Sequence, residues 1–135
     1  MKQEEKELLL NDICTRLPYG VKCQIQEDEY TYIGTLCRIE VDNKNGHFLD
    51  FAESISGLDC QVYLSEIKPY LFPFSSMTKE QTIEYCDLQA KFLYSSQYPV
   101  TDSYELFEWL NKNRIDYRGL IEKGLAINAT GLEIY

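Results

Sequence analysis

The chain holds one histidine, His47, and one tryptophan, Trp109, and its 13 Lys and Arg are outnumbered by 22 Asp and Glu. Scarcity of histidine removes the commonest general base and metal ligand from every position but one. His47 follows Asn45-Gly46, a hairpin signal, where a solvated ring is the ordinary outcome. A Cys–His dyad would need one of the five cysteines beside it. The formal charge of −9 repels phosphate backbones and anionic headgroups and attracts basic partners. The cations do not gather either: Lys112, Arg114 and Arg118 are interrupted by Asp116 and Glu122, against what a nucleic-acid face needs.

Long apolar runs are also missing. None approaches the ~18 residues a membrane helix needs. The charged start and the short run Leu8-Leu9-Leu10 do not make a secretion signal, so the expectation is a cytoplasmic chain with no membrane partner. Cys14, Cys23, Cys37, Cys60 and Cys86 are widely spaced with no C-x-x-C pair, which excludes a zinc knuckle and a disulfide framework. They are expected to be buried thiols in a reducing compartment. No phosphate-cradling glycine loop is present, since Gly119 and Gly124 lack nucleotide-binding spacing. Glu27-Asp28-Glu29 are consecutive and do not converge on a cation; a solvated hairpin tip accounts for them. Asp50 and Glu53 form a carboxylate pair only if one is desolvated, which a sequence does not show. No catalytic residue, metal site or cofactor is assigned.

What is present is enough apolar material, 44% of 135 residues, to fill one core. Residues 4–17 predict a helix with the stripe Leu10, Ile13, Cys14 and Leu17, stopped at Pro18. Residues 21–26 alternate as a half-buried strand. Residues 30–41 predict a long strand with apolar residues on both parities and Gly34 marking a bend. Strands at 47–51 and 60–64 follow, the first after the Asn45-Gly46 turn. Residues 65–71 predict a single helical turn cut by Pro69. Thr78-Lys79-Glu80-Gln81 is a capping box opening a helix to Leu93, with Ile83, Cys86, Ala90 and Leu93 along one face and Tyr85, Leu88 and Phe92 widening it. Asp102-Ser103-Tyr104-Glu105 predicts a second box and a helix to Asn113. A short helix is expected over 116–123, capped by Gly124, and then a tail or short strand. The fold class is α+β: an N-terminal helix, a small curved antiparallel sheet or barrel of four to five strands, and C-terminal helices packed on it. Residues 1–73 hold the helix and the barrel, and residues 74–135 hold the helical extension.

The order of elements over residues 5–72 resembles Sm-like and Src-homology-type small barrels. Arg16-Leu17-Pro18-Tyr19-Gly20-Val21, Ile67-Lys68-Pro69-Tyr70-Leu71 with Ser75-Ser76-Met77-Thr78, and the stretch Asp116 to Leu125 are similar to a family of short proteins from gut Bacteroidales genomes and their prophages. That resemblance implies a cytosolic, phage-related origin and no particular activity.

The aromatic set Tyr70, Phe72, Phe74, Tyr104, Phe107 and Trp109 is the feature that points furthest. Tyr and Trp are favoured at contact hot spots, although a seam between sheet and helices would use the same rings. The expectation is a non-enzymatic protein-binding or assembly module, with a protein partner or self-association through Tyr70, Phe72, Phe74, Tyr104 and Trp109. The alternatives are a nucleic-acid-associated Sm-like barrel, which the charge disfavours, and an enzyme built on His47, Asp50, Glu53 or a cysteine.

Overall fold

A computed structural model describes residues 1–42, 46–51, 62–94 and 99–135. Helix α1 spans Gln3–Arg16 and runs into a 3-10 turn at Leu17–Tyr19. Its inward stripe is Leu9, Asp12, Ile13 and Arg16, one residue out of phase with the apolar stripe expected from the sequence. Cys14 faces out. The phase shifts because Asp12 and Arg16 neutralise one another at i, i+4 and are buried as a pair. Pro18 ends the helix, and Gly20 turns the chain at φ +73°.

Strands β1 (Lys22–Glu27) and β2 (Tyr30–Asp42) form a hairpin through Asp28 and Glu29, with Asp28 in the left-handed region. Gly34 pairs regularly with Cys23. The irregularity lies further on: Leu36 pairs with Phe51 but Arg38 with Asp50, so Cys37 is the extra residue of a β-bulge. A one-residue insertion exchanges the two faces. Before it the buried positions are Gly34 and Leu36, and after it the inward residue is Ile39. Leu36 and Ile39, of opposite parity, therefore meet one core face across the bulge, while Ile33 before it stays exposed.

Strand β3 is Gly46–Phe51 and β4 is Val62–Tyr63. The pairing of β2 with β3 shows the hairpin, but its turn residues, including Asn45, lie outside the described residues, as do Glu53 and Cys60. Residues 64–71 differ from expectation. Leu64–Glu66 make a 3-10 turn, and Ile67–Leu71 are a strand, β5, rather than a helical turn. Pro69 is tolerated in β5 because the next strand reaches only Tyr70 and Leu71, leaving no ladder on that side to break at Pro69. A last strand, β6 (Ile127–Asn128), lies parallel to β5.

The sheet order is β4-β3-β2-β1-β5-β6. It is mixed, has six strands and is open: among the described residues the two edge strands do not pair, so the expected barrel does not close. One side is filled by Leu9, Ile13, Cys23, Ile25, Leu36, Leu49, Ile67 and Leu71, joined by Leu120, Leu125 and Ala126 from the far end of the chain.

Helices α2 (Lys79–Tyr94) and α3 (Pro99–Lys112) pack as a hairpin. The first capping box is present: Gln81 N–H donates to Thr78 Oγ1 at 3.1 Å, and Thr78 N–H donates to Gln81 Oε1 at 3.0 Å. The second is not. Helix α3 begins three residues earlier, so Asp102 is a buried residue inside its first turn and not its cap, with its carboxylate 3.8 Å from Lys91. Residues 116–123 are a compact turn and not a helix. The Asp116 carboxylate accepts from Leu120 N–H and Ile121 N–H, both at 2.9 Å. The turn still ends as a helix would. Leu125 N–H reaches Leu120 O, Gly124 N–H reaches Ile121 O, and Gly124 sits at φ +73°.

The segment after α3 also returns to the sheet. Phe72 N–H donates to Arg114 O, Asp116 N–H to Phe72 O, and Ala129 N–H to Leu71 O. The terminal Tyr135 hydroxyl donates to Tyr70 O at 2.8 Å and accepts from Lys22 N–H at 3.0 Å. Extending the β1–β5 register places Lys22 opposite Tyr70. The phenol thus stands between a ladder donor and a ladder acceptor.

Candidate interaction surface on the helical hairpin

Helix α2 has 16 residues and none of them is buried. The residues that pack toward α3 are Gln81, Tyr85, Leu88 and Phe92, spaced i, i+4, i+7, i+11. At about 3.6 residues per turn, Ile83, Cys86, Ala90 and Leu93 fall on the opposite face. These are the residues expected along one apolar face with Tyr85, Leu88 and Phe92 widening it, and here they point outward: Ile83 is 62% exposed and Leu93 56%. Cys86 is exposed too, as are Cys14 and Cys37, so only Cys23 among the described cysteines is a buried thiol. Burial pushes that thiol far up. The helix is apolar on two opposite faces, and the packed one is the more aromatic.

Tyr94 extends the outer stripe, and Val100 and Tyr104 are exposed apolar residues of α3. Glu80 and Asp87 border the stripe, Lys79 lies within it at its first turn, and Glu84 is on the α3 side. Lys91, on the same border, is held by Glu105 at 2.8 Å. That carboxylate raises the Lys91 ammonium above its ordinary value through the hydrogen bond and its charge.

The five aromatic residues chosen from the sequence do not form one patch. Tyr70 is 5% exposed and offers a partner almost nothing. Phe72 lies against Tyr135, with ring centres 5.9 Å apart. Phe74 and Trp109 do belong together: Phe74 packs on Tyr85 at 5.4 Å and Tyr85 on Trp109 at 6.1 Å. The Trp109 indole N–H donates to Glu84 at 2.8 Å. This ladder closes the seam between the 72–78 segment and the hairpin around Leu106, Leu110 and Ile115. Tyr104 stands apart on α3, 65% exposed. Sequence reasoning passed over Ile83, Cys86, Ala90 and Leu93 as contact residues because their helical spacing is what a core face shows.

The side chains of His47 and Asp50 lie outside the described residues, as does Glu53, so the carboxylate pair and the histidine dyad are not placed. Asp28 and Glu29 form the β1–β2 turn, and Glu27 accepts from the Tyr32 hydroxyl at 3.0 Å. Among the described residues no three His, Cys, Asp or Glu side chains converge on a point that could hold a metal. No helix among them is long and apolar enough to cross a membrane. Comparisons with protein-family models, with curated proteins and with solved structures find no match.

Proposed function

We propose that the chain is a non-enzymatic protein-binding module whose outer α2 face docks an amphipathic, basic helix of a partner protein. The observation that carries this reading is the second apolar stripe of α2, Ile83, Cys86, Ala90 and Leu93, set opposite the stripe that packs on α3. An exposed helical stripe of this spacing is the complement of helix-in-groove and helix-on-helix recognition. Glu80 and Asp87 along its border suit lysines and arginines flanking the partner's apolar face. A second copy is opposed by the charge of −9 on each chain. The exposed thiols of Cys14 and Cys86 suit a reducing, cytoplasmic setting.

Two designed helical peptides with identical apolar faces test it, one flanked by lysines and one by glutamates. The lysine peptide is expected to shift the α2 backbone NMR signals at Ile83, Ala90 and Leu93, to bind more weakly at high salt, and to lose binding to Ile83→Glu/Leu93→Glu. Both residues are exposed, so that double variant keeps its fold. Equal binding of the two peptides, or none, refutes the reading. Concentration-dependent dimerisation of the wild type, abolished in the variant, would assign the face to a second copy instead.

A further inference from the structure

A second feature lies at the other end of α3 and is independent of the α2 face. An open cleft of about 470 Å³ is lined by Thr15 of α1, Phe107 and Asn111 of α3, and Tyr117 and Arg118 of the returning segment. Arg118 joins this lining to a buried ionic cluster. Arg16 and Asp12 are wholly buried, with Nε to Oδ2 at 2.8 Å and Nη2 to Oδ1 at 3.0 Å. Arg16 Nη2 also donates to Ile115 O at 2.8 Å. Arg118 approaches the same carboxylate, its Nε 3.4 Å from Asp12 Oδ1. That contact is an ion pair without hydrogen-bond geometry, and the Arg118 Nε is buried with no acceptor. The Tyr117 ring serves both cations, with the guanidinium carbons of Arg16 and Arg118 at 5.1 and 5.3 Å from its centre.

Two arginines against one aspartate leave one positive charge uncompensated, in a chain whose net charge is −9. The nitrogen groups around it are donors whose acceptors are missing, while the Thr15 and Tyr117 hydroxyls are committed as donors elsewhere. Asn111 Oδ1 accepts from the Tyr117 hydroxyl at 2.8 Å, which leaves the amide N–H groups as its open function. The Thr15 hydroxyl donates to Asp12 O at 2.7 Å. Among the described residues, Asn111 Nδ2 and the Arg118 Nη atoms have no protein acceptor. Donors without acceptors, on a surplus cation and beside a phenyl wall, are complementary to a planar anion with an apolar body. Phe107, in edge contact with Tyr117 at 5.4 Å and 43% exposed, supplies that wall.

The geometry points to a binding site in this cleft for a monocarboxylate carrying an aromatic or apolar group, with Arg118 and Asn111 on the carboxylate and Phe107 on the apolar body. A single surplus charge matches a monoanion better than a phosphate dianion, which would carry an unmatched charge into an acidic molecule. The carboxylate is either that of a free small acid or the C-terminus of a polypeptide, and both present the same group to Arg118.

The test uses the full chain and four probes: phenylacetate, its neutral counterpart phenylacetamide, and a short peptide ending in Phe with a free or an amidated terminus. Binding is followed by NMR on the Asn111 side-chain amide, the Arg118 Nε–H and the Phe107 backbone amide. Phenylacetate is expected to shift these signals saturably, with phenylacetamide at least tenfold weaker. Arg118→Gln is expected to weaken phenylacetate at least tenfold. The acid-to-amide comparison is made on the wild type, so it stands even if Arg118→Gln loses its fold. Tighter binding of the free-terminus peptide than of phenylacetate identifies a polypeptide end as the ligand, and the reverse order identifies a free acid. Equal shifts with acid and amide, or no saturable shift with any probe, would overturn the proposal.

Discussion

Replacing Asp12 by Asn keeps the side chain's shape and removes its charge. Asp12 and Arg16 are both 0% exposed and joined by two hydrogen bonds, and Asp12 is the carboxylate that neutralises Arg16 at that depth. The substitution leaves Arg16 as a buried cation without a counter-ion and removes the anion that faces Arg118 at 3.4 Å. Breaking one side of a buried ion pair costs about 3–5 kcal/mol. A domain's whole stability is about 5–15 kcal/mol, so Asp12→Asn removes about a fifth of it or more. With a urea slope of about 2 kcal/mol per molar, the midpoint should fall by about 2 M. The companion variant replaces both partners, Asp12→Leu with Arg16→Met. Apolar groups of similar size need no neutralisation, so the double variant should lose much less than the two single losses added together. Equilibrium urea unfolding followed by Trp109 fluorescence measures all of these. A loss under about 1 kcal/mol for Asp12→Asn, or a double variant equal to the sum of the singles, would refute the view that the pair is held as a desolvated unit.

Tyr135→Phe deletes the hydroxyl between Lys22 N–H and Tyr70 O and should cost about 1–2 kcal/mol at pH 8, since water reaches the vacated ladder groups only in part. Burial of the Tyr135 hydroxyl pushes its pKa up to about 12, so its stabilisation is intact below about pH 10, the ordinary tyrosine value, and is lost as the pH rises through 12. The stability gap between wild type and Tyr135→Phe should therefore narrow in urea titrations above pH 10, and a constant gap would contradict the assignment. Thr78→Ala removes the acceptor for Gln81 N–H and should lower stability by about 1 kcal/mol in thermal or urea unfolding. Gly124→Ala meets no atom within 4 Å, so its cost is backbone strain alone, about 1–2 kcal/mol at φ +73°. A neutral Gly124→Ala would mean that the turn gives way.

Local chemistry determined several features without reference to the rest of the molecule. The capping box at Thr78 and Gln81 and the glycine end at Gly124 need only neighbouring backbone, and both were legible. So were the α1 stop at Pro18, the hairpins and the α+β class, because periodicities of two and 3.6 and turn residues act over a few positions. Tertiary structure decided what local pattern leaves degenerate. Alternation marks both parities of β2 as apolar, and only pairing with β3 places the bulge at Cys37 that brings Leu36 and Ile39 to one face. Pro69 breaks a helix locally, yet β5 accepts it because its neighbour β6 stops one residue short. In α1 the buried stripe includes Asp12 and Arg16, since distant Ile115 supplies the carbonyl that completes the guanidinium's bonding. The candidate surfaces were hidden for the same reason. Helix α2 carries two apolar stripes of equal helical spacing, and which one faces the core depends on α3. The cleft assembles Thr15, Phe107, Asn111 and Arg118 across about a hundred residues of chain, a separation that no linear motif spans.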